Sequence, residues 1–91
     1  ENGATFASYD AYAQACRCCE IINSTLVAMD AGLHQVVRTR MYVTDISQWV
    51  AFGQAHQEFF GEHPPVTAML EVKGLINPDM LIEVEAEAFV G

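Results

Sequence analysis

Residues 35–44, QVVRTRMYVT, alternate Val37, Thr39, Met41 and Val43 with Val36, Arg38, Arg40 and Tyr42. The period of two and the β-branched content predict a strand with one apolar face and one face carrying two arginines. Upstream, Tyr12, Cys16, Cys19, Ile22, Leu26 and Met29 recur at steps of three and four, which predicts an amphipathic helix over 10–29. Ser8 or Asp10 can cap its start, and Gly32 is expected to end it. Downstream, Ser47 is expected to cap a second helix, with Trp49, Phe52, His56 and Phe59 on one stripe and Gly61 closing it. His56 in such a stripe is read as a packed or hydrogen-bonded histidine.

Pro64 and Pro65 forbid helix and lead into a second strand over 66–72, where Val66, Ala68, Leu70 and Val72 alternate with Thr67, Met69 and Glu71. A turn at Asn77, Pro78 and Asp79 precedes a third strand over 81–90, with Ile82, Val84, Ala86 and Ala88 opposed to Glu83, Glu85 and Glu87. The order helix, strand, helix, strand, strand predicts an α/β, two-layer fold: one mixed β-sheet covered by two helices. With 91 residues there is room for one domain, 1–91.

Half of the residues are hydrophobic (52%) and 18% are charged, more apolar than a lone domain of this size requires, which suggests a partner surface. Twelve acidic residues face four basic ones, Arg17, Arg38, Arg40 and Lys73. That sign opposes binding to nucleic acid, where lysine and arginine contacts to phosphate supply most of the affinity. No apolar run approaches the ~20 residues of a membrane span and no signal-peptide pattern is present, so no membrane association and a cytoplasmic location are expected. Cys16, Cys18 and Cys19 are read as small, reduced hydrophobes of a helix, since no second ligand pair at metal-site spacing accompanies them. No metal and no cofactor are expected.

Strand phase groups Arg38, Arg40, Tyr42, Thr67, Met69, Glu71, Glu83, Glu85 and Glu87 on the second face of the sheet. In a monomer this is a solvated face with cross-strand ion pairs of ~0.2–1 kcal/mol each. Turned toward neighbouring subunits, the same arginines need carboxylate partners such as Glu85 and Glu87.

Several stretches carry a more specific pattern: Gly32-Leu33-His34-Gln35-Val36-Val37-Arg38-Thr39, Val43-Thr44-Asp45, Phe59-Phe60-Gly61-Glu62-His63, Glu71-Val72, Leu75, and Ile82-Glu83-Val84-Glu85-Ala86. Together they resemble the RidA/YjgF family, also called endoribonuclease L-PSP, over nearly the whole chain. The resemblance implies a chorismate-mutase-like fold, a homotrimer with its sheets facing an inner barrel, and small organic ligands held in clefts between subunits. It also implies an N-terminal hairpin, of which only residues 1–7 could be part here, so the domain is expected to be incomplete at that end. Well-characterised members hydrolyse enamine and imine intermediates to 2-oxo acids and ammonia. Their substrate carboxylate is bound by an arginine two residues after a proline; here Pro65-Val66-Thr67 puts Thr67 in that place.

By the same resemblance Met69 stands where active members often have a small polar residue, Gly53 stands near an asparagine position, and Glu83 matches the glutamate that helps to place water. Arginine pairs with a carboxylate through two charge-assisted hydrogen bonds that a threonine hydroxyl cannot replace. The expected function is therefore a homotrimeric binding protein with Thr67, Met69 and Gly53 at a small-molecule site, and not a typical 2-imino acid deaminase. The alternative is an enamine or imine deaminase of altered specificity, with Glu83 as the catalytic residue that positions water.

Overall fold

The computed structural model describes residues 10–90. Its elements follow the order α1 (Ala11–Ala28), β1 (Val36–Val43), α2 (Trp49–Phe60), β2 (Val66–Glu71) and β3 (Ile82–Ala88). β1 is central, with β2 parallel on one side and β3 antiparallel on the other. A parallel pair needs a crossover, and α2 supplies it between β1 and β2. Both helices pack on one face of this mixed sheet, the expected two-layer α/β arrangement.

Asp10 caps α1, its Oδ1 accepting from the Ala13 amide at 2.9 Å, as the sequence suggests; Ser8 lies outside the described residues. The end of α1 differs from expectation. The chain turns at Asp30, which adopts φ 59°, while Ala31 N–H donates to the Leu26 carbonyl at 2.8 Å. Aspartate is one of the few side chains that enter the left-handed region readily, so Gly32 is left in extended backbone at φ −151°. The buried stripe is also displaced, to Ala11, Gln14, Ala15, Cys19 and Leu26. Small alanines let the helix approach closely, and Tyr12 instead sits at the rim, its hydroxyl donating to Glu58 of α2 at 2.5 Å. Buried Gln14 holds the 77–81 turn: its amide nitrogen donates to the Asp79 carbonyl and its oxygen accepts from the Leu81 amide, at 3.1 and 2.7 Å.

In β1 the expected alternation holds for Thr39, Met41 and Val43, all buried, but not at its start. A bulge between Val36 and Arg38 reverses the phase, so that Val36 is buried and Val37 is 51% exposed. The entry to α2 also departs from the prediction that Ser47 is its cap. Asp45 caps a short 3-10 turn, Ile46–Gln48, accepting from the Ser47 amide and hydroxyl, and these bonds hold its carboxyl below the usual range. From α2 the core receives Phe52, Ala55, His56 and Phe60, while Trp49 is left 60% exposed. Phe52, Ala55, Met41, Val43 and Ile82 close one apolar cluster with Ala11 and Ala15; Cys19, Leu26, Val36 and Phe60 form a second. Burial pushes the Cys19 thiol up to about 12, which keeps it protonated and a poor nucleophile.

The largest correction concerns β2. Thr67 pairs with Thr39, Met69 with Met41 and Glu71 with Val43, so these three lie on the helix-covered face. The uncovered face carries Arg38, Arg40 and Tyr42 between Val66, Ala68 and Leu70 of β2 and Glu83, Glu85 and Glu87 of β3. Arg38 pairs there with Glu87, Arg40 with Glu85 at 3.4 Å, and the Tyr42 hydroxyl donates to Glu85 at 2.8 Å. The Arg38 guanidinium holds the Glu87 carboxyl below its usual range. All four charged partners are solvent-exposed enough for these pairs to add little stability.

Candidate functional site

Between α2 and β2 the structure leaves an open cleft of about 400 Å³ that runs along the helix from Trp49 to Phe60. Gly61 and the rigid Pro64-Pro65 step, which lies between α2 and β2, border the same space. Trp49, Gly53, His56 and Phe60 face it from α2, and Thr67 and Met69 from β2. Three residues singled out in the sequence, Gly53, Thr67 and Met69, thus border one space. None of the lining residues is an acid, a lysine or an arginine. At Gly53 a Cβ would meet nothing within 4 Å, so the wall is bare where the family resemblance implies an asparagine.

Glu83, the fourth residue singled out, is not in this cleft. Its cross-strand partner is Tyr42, on the uncovered face, with the sheet between it and Thr67. Within one chain the two cannot act on the same ligand.

Besides the Gln57 carboxamide and the Trp49 indole at the lining, the cleft borders a hydrogen-bonded chain of three side chains, of which the sequence reading treated only Thr67 as functional. Thr39 Oγ1 lies 2.8 Å from His56 Nε2 and 2.6 Å from Thr67 Oγ1. Thr39 is 1% and His56 8% exposed, so their polar atoms depend on one another, whereas Thr67 opens to the cleft. Burial lowers the His56 pKa below its ordinary value, and the imidazole is therefore neutral at neutral pH. The Phe60 ring lies against it, with centroids 4.6 Å apart. A neutral imidazole has one donor and one acceptor nitrogen, so the hydroxyl chain can run in either direction. No local pattern announces this contact: Thr39 and His56 are 17 residues apart and on different elements.

Two helices on one face of a mixed sheet, with a cleft between helix and edge strand, define a chorismate-mutase-like α/β protein. The profile of the endoribonuclease L-PSP family matches residues 1–90, and the chain belongs to this family, that of the RidA/YjgF proteins. The crystal structure of a Mycobacterium tuberculosis member of the YjgF/YER057c/UK114 family superimposes with a TM-score of 0.87 at 47% identity, over 89% of this chain and 69% of that one. The yjgF gene product of E. coli does so with a TM-score of 0.83 at 28% identity, over 94% and 68% of the two chains. An uncharacterized Streptomyces coelicolor protein is 40% identical over 60 residues, 66% of this chain and 45% of that protein. The 3-aminoacrylate deaminase of Acinetobacter baylyi is 31% identical over 90 residues, 99% of this chain and 71% of that enzyme. The chain spans about half the length of the first curated relatives it matches, 45%, 57% and 55%. Among the described residues no helix is long and apolar enough to cross a membrane.

Proposed function

We infer that this protein is a homotrimeric small-molecule binder whose ligand is uncharged, and that it is not a typical 2-imino acid deaminase. The observation that carries the reading is the absence of any formal charge among the residues lining the cleft, with Thr67 at the position where the family resemblance expects an arginine. An ionised carboxylate entering such a space loses its hydration and meets only neutral donors, the Thr67 hydroxyl, the Gln57 amide and the Trp49 indole, with no cation to pair with it, which costs about 1–3 kcal/mol. A carboxamide or ketone of the same shape escapes that cost.

Assembly is supported by the uncovered sheet face, where Val66 and Leu70 are 73% and 43% exposed beside a row of arginines and glutamates. An apolar strip of this kind is what a neighbouring copy would cover. In a trimer the cleft of one subunit is completed by the next. Light scattering of the chain at micromolar concentration is expected to give three times 10.0 kDa. A monomer removes the intersubunit cleft.

Ligand preference is readable through Trp49, the single tryptophan, which borders the cleft. Benzamide and benzoate have the same planar shape and differ in charge. Titration at pH 7 followed by Trp49 emission is expected to show benzamide binding at least about fivefold more tightly, the equivalent of the carboxylate desolvation cost. Benzoate binding as tightly as benzamide overturns the reading. The second reading, a deaminase of altered specificity, requires Glu83 to reach the cleft from a neighbouring subunit, since in its own chain the sheet intervenes.

A further inference from the structure

We propose that Thr39 and His56 are positioning residues for Thr67, a buried relay that couples the direction of the Thr67 hydroxyl to the His56 tautomer and makes it the polar anchor for a primary carboxamide or similar neutral donor–acceptor group. This rests on reading the cleft as a ligand site and adds which chemistry the site recognises. The geometry carries it. The middle hydroxyl, that of Thr39, is bonded on both sides at 2.8 and 2.6 Å and has no access to solvent. Its proton can go to His56 or to Thr67, and whichever it chooses fixes the other bond.

When His56 donates from Nε2, Thr39 donates to Thr67, and Thr67 presents its proton to the cleft. When His56 carries its proton on Nδ1, Thr39 donates to Nε2, Thr67 donates to Thr39, and Thr67 presents lone pairs. A group that both donates and accepts on one edge satisfies either arrangement; a carboxylate satisfies only the first. A carboxamide bound through its carbonyl draws the relay to the first arrangement and therefore shifts the imidazole tautomer. Trp49 and Met69 flank the same space and supply apolar faces for a planar body.

The test uses benzamide and the variants Thr39→Val, Thr67→Val and the double variant, with Thr39→Ser as the conservative rescue. Each single valine variant is expected to weaken benzamide roughly three- to tenfold, the worth of one neutral hydrogen bond. If Thr39 acts through Thr67, the double variant is no weaker than Thr67→Val alone, and Thr39→Ser binds within about twofold of the parent protein. Nitrogen NMR of the His56 ring is expected to show a tautomer shift on benzamide binding that disappears in Thr39→Val. Additive losses, or a His56 ring indifferent to benzamide in the parent protein, overturn the relay while leaving the cleft reading intact. Failure of the parent protein to bind benzamide at all removes the ligand reading itself, and the relay with it. Should Thr39→Val not fold, Thr67→Val and the His56 spectra decide the same question.

Discussion

Replacing Thr67 by arginine is expected to reverse the ligand preference of the cleft, strengthening benzoate by roughly 30- to 150-fold over the parent protein while benzamide, which loses the Thr67 hydroxyl, weakens by roughly three- to tenfold. The magnitude follows from about 2–3 kcal/mol for charge-assisted hydrogen bonds to a carboxylate, at 1.4 kcal/mol per tenfold. The position is suited to the change. Thr67 lies on an edge strand, opens to the cleft, and has no acid among its lining neighbours to neutralise a guanidinium. A planar fork of donors reaches both oxygens of a carboxylate, whereas lysine at the same place offers a point charge and is expected to recover less. Competitive titration through Trp49 emission measures the effect. If Thr67→Arg binds benzoate no better than the parent protein does, the ligand is not held beside Thr67 and the reading of this cleft as the binding site is overturned.

The second large effect falls on the core. Phe52 is fully buried and packs where both helices meet the sheet, in the cluster with Ala15, Met41, Val43 and Ile82. Phe52→Ala is expected to destabilise the fold by about 3–5 kcal/mol, the transfer loss of the ring together with the cavity left behind. For a domain of this size that lowers the melting midpoint by roughly 15–30 °C, a drop measurable by circular dichroism. Val37→Ala provides the contrast. The alternating pattern of β1 places Val37 with the core residues, but the bulge leaves it 51% exposed, and its loss should fall within about 0.5 kcal/mol. Equal midpoints for Phe52→Ala and Val37→Ala are incompatible with the packing described above.

These residues also show what the sequence can convey. The identity and order of all five elements are legible because each has a clean period and a physical stop: Asp10 before α1, Pro64-Pro65 before β2, Asn77-Pro78-Asp79 before β3. The phases of β3 and of the later part of β1 are legible too, since charge marks one face and apolar side chains the other. β2 has no such contrast. Val66, Ala68 and Leu70 look like the core set beside Thr67, Met69 and Glu71, yet the parallel register with β1 puts Thr67 and Met69 on the face that carries the helices, where they border the cleft. That register is a tertiary choice, in which Thr39 bonds Thr67 and Met41 meets Met69. The family pattern points to Gly53, Thr67 and Met69; His56 borders the cleft from α2 without being marked by it, and Thr39 joins the site only through long-range hydrogen bonds that no spacing encodes. Asp30 in the left-handed turn and the one-residue bulge in β1 are likewise local backbone solutions with no periodic trace.

Thr67 in an uncharged cleft is the ground on which we propose a binding protein and not an imine hydrolase, and hydrolysis itself tests that proposal most directly. The 2-imino acid formed from L-leucine by an amino-acid oxidase can be followed as it decays to the 2-oxo acid, with an imine-hydrolysing relative as the positive control. With this protein present the decay is expected to match that in buffer, and Glu83→Ala is expected to change nothing. Hydrolysis by the parent protein at the rate of the active relative, abolished by Glu83→Ala, is the result that contradicts it.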